Sequence, residues 1–176
     1  MFYELVRRYE RPLYGFFVRH MRDPVRAEDL FQDTFMIVHR NRAQHSGEGK
    51  FRSWLYTIAL NLLRSRQRKA KREKRLSDMR PPDSPDLAES LANGKTPGPG
   101  DSAALSEEAE KVRAAVNELP DEHRDIVIFR IYQQLSFEEI ARITGDAIGT
   151  LKSRMFYALQ KLRPKLMQIA GEQGLR

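Results

Sequence analysis

The stretch SFEEIARITGDAIGTLKSRMFYALQKLR, residues 136–163, decides how the rest of the chain is read. It reads as two helices joined by a tight turn, the second ending just before Pro164. Ser136 is placed to cap the first helix, and Glu139 stands three residues on. That is the spacing of a capping box, in which each side chain bonds the other's backbone N–H. Gly145 supplies the turn between the helices. In the second helix Ile148, Leu151, Met155, Ala158, Leu159 and Leu162 recur at helical spacing and form one apolar face. The other face carries Lys152, Ser153, Phe156, Tyr157 and Gln160. Cationic, hydroxyl and aromatic groups are what a helix needs to reach phosphates and base edges in a DNA major groove. A plain hairpin with a solvated polar face would share the periodicity. The cap, the glycine turn and the basic-aromatic face occur together here, which favours a DNA-binding helix-turn-helix.

The composition agrees. The 176 residues carry a formal net charge of +7 and a pI near 9.8, so a polyanion is the natural partner, nucleic acid or an acidic membrane surface. No apolar run is long enough to span a bilayer, and the N-terminus lacks the basic-then-apolar order of a secretory signal. There are no cysteines, which excludes disulfides and cysteine-held metals and suits a reducing cytoplasm. The four histidines, His20, His39, His45 and His123, are scattered and read as surface or packing residues. No HExxH pair, phosphate-cradling GxxxxGK[ST] loop or nucleophile motif appears, so neither an enzyme nor a cofactor is expected. Gly and Pro are sparse outside one segment and strand-like alternation is absent, so the fold is expected to be all-α.

Five of the nine prolines lie between Pro81 and Pro99, in a stretch also rich in Ser, Gly and Asp. It reads as a flexible linker over 76–105, between an N-terminal domain at 1–75 and a C-terminal helix-turn-helix domain at 106–170. Such a tether either lets two small domains grip separate points on one extended target or is an inert spacer. The first domain is expected to hold helices near 2–21, 24–42 and 51–72. Pro24 suits the first turn of the second of these. Ala27, Leu30, Phe31, Thr34, Ile37 and Val38 form its inward stripe, with Asp29, Gln32, Asp33, Met36 and Arg40 opposite. That outer face is either solvated or docks a basic partner helix, with Met36 as an adaptable apolar contact. In the third helix Phe51, Trp54, Leu55, Ile58, Ala59 and Leu62 make the core stripe, and Thr57, Leu60, Asn61, Arg64 and Arg68 share the outer face. The run from Arg64 to Arg75 holds eight basic residues and one acid; it is either a solvated helix extension or a phosphate-contacting stripe, and a chain already read as DNA-binding favours the stripe. Asn61 has an amide that can pair with a base edge while the arginines hold the backbone.

Three separated stretches, taken together, resemble the extracytoplasmic-function (ECF) group of bacterial RNA polymerase sigma factors. DPVRAEDLFQDTF at 23–35 is similar to the family's polymerase-binding segment, and FRSWLYTIALN at 51–61 to its promoter-melting segment. Residues 119–163 are similar throughout to its minus-35-binding domain. The resemblance implies that Asp29, Gln32 and Asp33, with Met36 beside them, dock the clamp helices of the largest subunit of core RNA polymerase. It implies that Asn61, with Thr57, Arg64 and Arg68 around it, serves the minus-10 element, and that the 41–50 loop captures a flipped base of the melted non-template strand. It also implies that Lys152, Ser153, Phe156 and Tyr157 face the minus-35 duplex, with Thr150 and Arg154 nearby for phosphate contact or helix packing. Promoter DNA, core polymerase and an anti-sigma factor are the implied partners, in the cytoplasm. A native N-terminus a few residues longer is also an expectation of the resemblance. The chain departs from the family pattern at Leu60, Ser65 and Tyr157, where Arg, Asp and a basic residue are usual. The competing class is a stand-alone helix-turn-helix regulator, dimeric on a two-fold operator.

Overall fold

The computed structural model describes residues 2–21, 23–42, 51–79 and 107–171, and these are helical apart from short connections. Three helices come first: α1 (Phe2–Met21), α2 (Pro24–Arg40) and α3 (Phe51–Asp78). Four follow: α4 (Glu107–Asn117), α5 (Asp121–Val127), α6 (Phe137–Thr144) and α7 (Ile148–Gly171). A π-helical segment, Ile128–Tyr132, continues α5. The all-α expectation holds. The tether lies almost wholly outside the described residues, as do residues 43–50, the body of the expected base-capture loop.

Local chemistry sets the ends. Asp23 caps α2 by accepting from the backbone N–H groups of Val25 and Arg26 at 3.0 and 3.3 Å, and Pro24 fills the first turn, where no N–H is needed. Ser136 and Glu139 close the capping box of α6, with bonds of 3.1 and 2.8 Å. Gly145 ends that helix at a φ of 78°, in the left-handed region a side chain resists.

Two helices outrun their expected ends. α3 continues past residue 72 to Asp78 because its basic tail is made of good helix formers, braced at one point by Lys69 and Glu73, 3.9 Å apart. α7 passes through Pro164 rather than stopping before it. The ring deprives only the Gln160 carbonyl of its helical donor, and Gln160 is exposed, so water replaces the lost bond.

The core is where the chain departs most from its periodicity. One cluster joins Leu13, Phe16 and Phe17 of α1, Leu30 and Phe35 of α2 and Leu55, Tyr56, Leu60 and Leu63 of α3 to Ile126, Phe129, Leu135, Ile140 and Leu151 of the C-terminal region. Phe16 stacks on Phe129 with ring centroids 5.2 Å apart, and Tyr56 meets both edge-on at 5.6 and 5.9 Å. A smaller cluster, Ala115, Val116, Leu119, Val127, Ala158 and Leu162, holds α4, α5 and α7 together. Helix α3 is thus packed on two sides. Leu60, expected on its outer face, is 1% exposed because the C-terminal region covers it. Leu159 goes the other way: expected in the apolar face of α7, it is exposed, one residue around from buried Ala158.

Candidate nucleic-acid interface

The outer face of α7 is open as expected. Thr150, Lys152 and Ser153 are exposed, and Phe156 and Tyr157 are 58% and 55% exposed. Two aromatic rings standing in water cost hydration free energy that a monomer would ordinarily avoid. They support one another, edge to face at 5.6 Å. The Ser153 hydroxyl donates back to the Gly149 carbonyl at 3.1 Å, and Lys152 reaches over the Phe137 ring at 6.0 Å. Leu151, Ala158 and Leu162 anchor the opposite side of the helix. Arg154 is set apart from the group. Its side chain is 19% exposed, and its guanidinium is held by Asp146 at 2.6 Å and Glu122 at 2.8 Å. It ties the α6–α7 turn to α5.

Arg130, on the π-helical segment, was not singled out from sequence. Its guanidinium donates to the Leu135 carbonyl at 3.0 Å and lies 5.2 Å from the centre of the Phe137 ring. Phe137 therefore has two cations near its ring, Arg130 and Lys152, which orients both. Residue spacing along the chain could not reveal this, because the three residues sit on three different elements. The Glu138 carboxyl beside them is held below its usual range by hydrogen bonds to its own backbone N–H and to Ser136.

On α3 the second group is partly assembled. Asn61 and Arg68 are exposed, and the Thr57 hydroxyl donates to the Ser53 carbonyl at 2.8 Å. Arg64 borders this face but turns toward the C-terminal region, where it donates to Asp125 at 3.4 Å. Leu60 does not belong to the face at all.

On α2 the third group is displayed. Asp29 and Gln32 are exposed and Met36 is 51% exposed. Gln32 donates to Glu28 at 3.0 Å, while Asp33 is half-buried and pairs with Arg66 of α3 at 3.3 Å. Beside Met36 runs a shallow groove of about 390 Å³ lined by Val6, Phe31, Phe35 and His39. Among the described residues no cluster of His, Asp or Glu is arranged to hold a metal ion, and no helix is long and apolar enough to cross a membrane.

Comparison with known proteins adds the following. Residues 5–73 match the model of sigma-70 region 2, and residues 109–162 match that of sigma-70 region 4. The chain is 30% identical to the RNA polymerase sigma-H factor of Pseudomonas aeruginosa, over 96% of this chain and 87% of that one. It is 36% identical to the ECF RNA polymerase sigma factor EcfG of Rhodopseudomonas palustris, over 78% and 69%. Among solved structures it is similar to the sigma factor RpoE of Bartonella quintana, solved in complex with the anti-sigma factor NepR. That likeness has a TM-score of 0.74, 28% identity, and covers 94% of this chain and 96% of that one. The fold is also that of CnrH, solved with the cytosolic domain of CnrY, with a TM-score of 0.67 at 20% identity.

Proposed function

We propose how this protein works from one premise: the chain belongs to the ECF sigma factors of the sigma-70 family, promoter-recognising factors for transcription initiation. In the proposed mechanism the domain at 1–75 docks core RNA polymerase through Asp29, Gln32, Asp33 and Met36. The docked species is a helix pair of the largest subunit, and Met36 with its neighbouring groove receives the apolar part of that contact. The domain at 106–170 sets α7 in the minus-35 major groove. There Lys152 and Ser153 reach phosphates and base edges, and Phe156 and Tyr157 meet apolar base surface.

Thr57, Asn61, Arg64 and Arg68 serve the minus-10 element, the arginines on phosphates and the Asn61 amide on a base edge. Melting follows from holding unstacked non-template bases against the first domain, at a cost of a few kcal/mol per base that the contacts offset. Nucleotidyl transfer belongs to the polymerase, and this chain contributes no catalytic group. The site of action is the cytoplasm, and an anti-sigma factor covering these same surfaces is the expected control partner. A stand-alone regulator is not favoured, because the sigma-H likeness runs along 96% of the chain.

The observation that carries the reading is the exposed Phe156–Tyr157 pair beside Lys152 and Ser153, on a helix buried along its other side. Purified chain added to core polymerase should start transcripts on a promoter library, at sites with paired minus-35 and minus-10 elements. Transcripts no more abundant than with core alone, while a control sigma factor works, would sink the reading. Asp29→Arg should weaken core binding at least tenfold in a pull-down titration and leave duplex binding by the C-terminal domain unchanged.

A further inference from the structure

We infer that the Phe156–Tyr157 ring pair fixes which base the minus-35 element carries beneath it: a thymine, recognised through its C5 methyl, rather than a guanine. This deepens the promoter reading and rests on it. The major groove is about 12 Å wide, and an α-helix rises about 1.5 Å per residue. About eight residue steps of a recognition helix therefore span the groove, and they come from its N-terminal half. In α7 that window runs from Gly149 to Tyr157. Its exposed members are Gly149, Thr150, Lys152, Ser153, Phe156 and Tyr157.

Guanine presents two acceptors in the major groove, N7 and O6, and is read best by a cation that donates to both. No cation of this face stands where Tyr157 does. Arg154 is turned inward and held by Asp146 at 2.6 Å and Glu122 at 2.8 Å. Lys152 comes five residues before Tyr157, about 140° around the helix, and reaches over the Phe137 ring at 6.0 Å. It therefore approaches the duplex on the α6 side. Lys161 follows Tyr157 by one turn, beyond the window, where the helix leaves the groove and faces phosphates. The hydroxyls help guanine little. Ser153 gives its only proton to the Gly149 carbonyl at 3.1 Å, so toward a base it accepts. Thr150 stands two turns before Tyr157, at the opposite edge of the window.

What remains over the base edges is aromatic. The two rings stand edge to face, with centroids 5.6 Å apart and planes at 74°. Each limits the rotamers of the other, and an aromatic side chain has only two χ angles to fix, so the pair is ordered before DNA arrives. Thymine is the one base whose major-groove edge carries a methyl group. Burying that single carbon against the rings raises affinity roughly fourfold, whereas an arginine in the same place would favour guanine by roughly tenfold or more. Gly149 assists the approach. A Cβ there would meet nothing within 4 Å, and its absence leaves the first turn of the reading face bare, so the helix can sit deep enough for the rings to reach.

Holoenzyme assembled from this chain and core RNA polymerase is first given a promoter library, which yields the minus-35 sequence it prefers. Each thymine of that element, on either strand, is then replaced by deoxyuridine, which removes the methyl and nothing else. One replacement should lower promoter affinity roughly fourfold for wild type, have no effect for Tyr157→Ala and keep its effect for Tyr157→Phe. Tyr157→Arg should change the preferred base at that same position to guanine, by roughly tenfold in the library. Tyr157 is exposed, so the three variants should keep the wild-type thermal midpoint and helical circular dichroism. An element without thymine, or one in which no deoxyuridine matters to wild type, would overturn the inference, and neither result depends on a variant. A Tyr157→Arg library identical to that of wild type would overturn it too. So would loss of the methyl effect in Tyr157→Phe, which would assign the reading to the hydroxyl. A library with no preferred element at all would sink the promoter reading itself, so the two failures are distinct.

Discussion

Gln134 sits at a φ of 52°, a left-handed conformation that costs a residue with a Cβ about 1 kcal/mol or more. The residue is exposed, and its position is forced by the bonds around it: the Gln133 N–H closes on the Ile128 carbonyl and the Leu135 N–H on that of Phe129. Gln134→Gly should therefore stabilise the protein by roughly 1 kcal/mol, read as a rise in the thermal midpoint. A fall would mean that the Gln134 side chain makes a contact worth more than the strain. Asn61 is the other single residue on which much depends. Its amide is exposed on α3, so Asn61→Ala should change minus-10 preference in transcription from a promoter library and leave minus-35 preference as it was. An equal loss at both elements would remove Asn61 from base reading.

Among elements, the α6–α7 pair was the most legible in sequence, because its determinants are local. A capping box and a glycine at the turn act over a few residues and need no knowledge of the rest of the chain. Ser136→Ala removes one half of the box and should cost about 1 kcal/mol in chemical denaturation, with a parallel loss of minus-35 duplex affinity as α6 frays. An unchanged midpoint would show that Glu139 alone suffices.

Helix α3 shows the opposite case. Its periodicity predicts one buried stripe, and Leu55 and Ala59 obey it. Leu63, one turn beyond Ala59, extends that stripe, but Tyr56 and Leu60 are buried as well: Tyr56 meets Phe129 edge-on and donates to Gln133, and Leu60 joins the cluster that holds Ile126, Phe129 and Leu135. No spacing within α3 announces a partner some seventy residues away. The same limit hid Arg130, whose neighbours Phe137 and Lys152 belong to other elements. The display of Asp29, Gln32, Met36, Lys152, Phe156 and Tyr157 was legible, since amphipathic spacing alone sorts the two faces of a helix.

For the whole molecule, the pairing between α3 and α5 carries a pH signature. Burial raises the pKa of Asp121, but the charges and hydrogen bonds of Arg124 and Lys71 outweigh it, and the net displacement is downward. A carboxylate depressed in the folded state stabilises that state above its unfolded pKa of about 3.9 and loses the effect as pH falls through the lower, folded value. Wild type should therefore unfold at a higher temperature than Asp121→Asn at pH 7, and the gap should close as pH is lowered from about 4. A gap constant with pH would assign the difference to shape rather than charge. Charge is also why the chain can both close on itself and bind DNA: at +7 it retains cations beyond those its own carboxylates engage.

The π-helical segment has a consequence for how this protein tolerates changes of length. A π turn holds about one residue more than an α turn, so Ile128–Tyr132 stores a spare residue at the C-terminal end of the helix that α5 begins. Deleting one residue there would wind the segment back to an α-helix without breaking it. The shortened turn would still close one full circle, so everything upstream would keep nearly its present phase relative to the cap at Ser136. The same deletion in a regular turn of α5 would instead rotate the upstream side chains by about 100°, since each residue of an α-helix advances that far. The segment therefore acts as a length reserve, in which a single-codon deletion would be absorbed with little change in how Phe129 meets Phe16 and Tyr56.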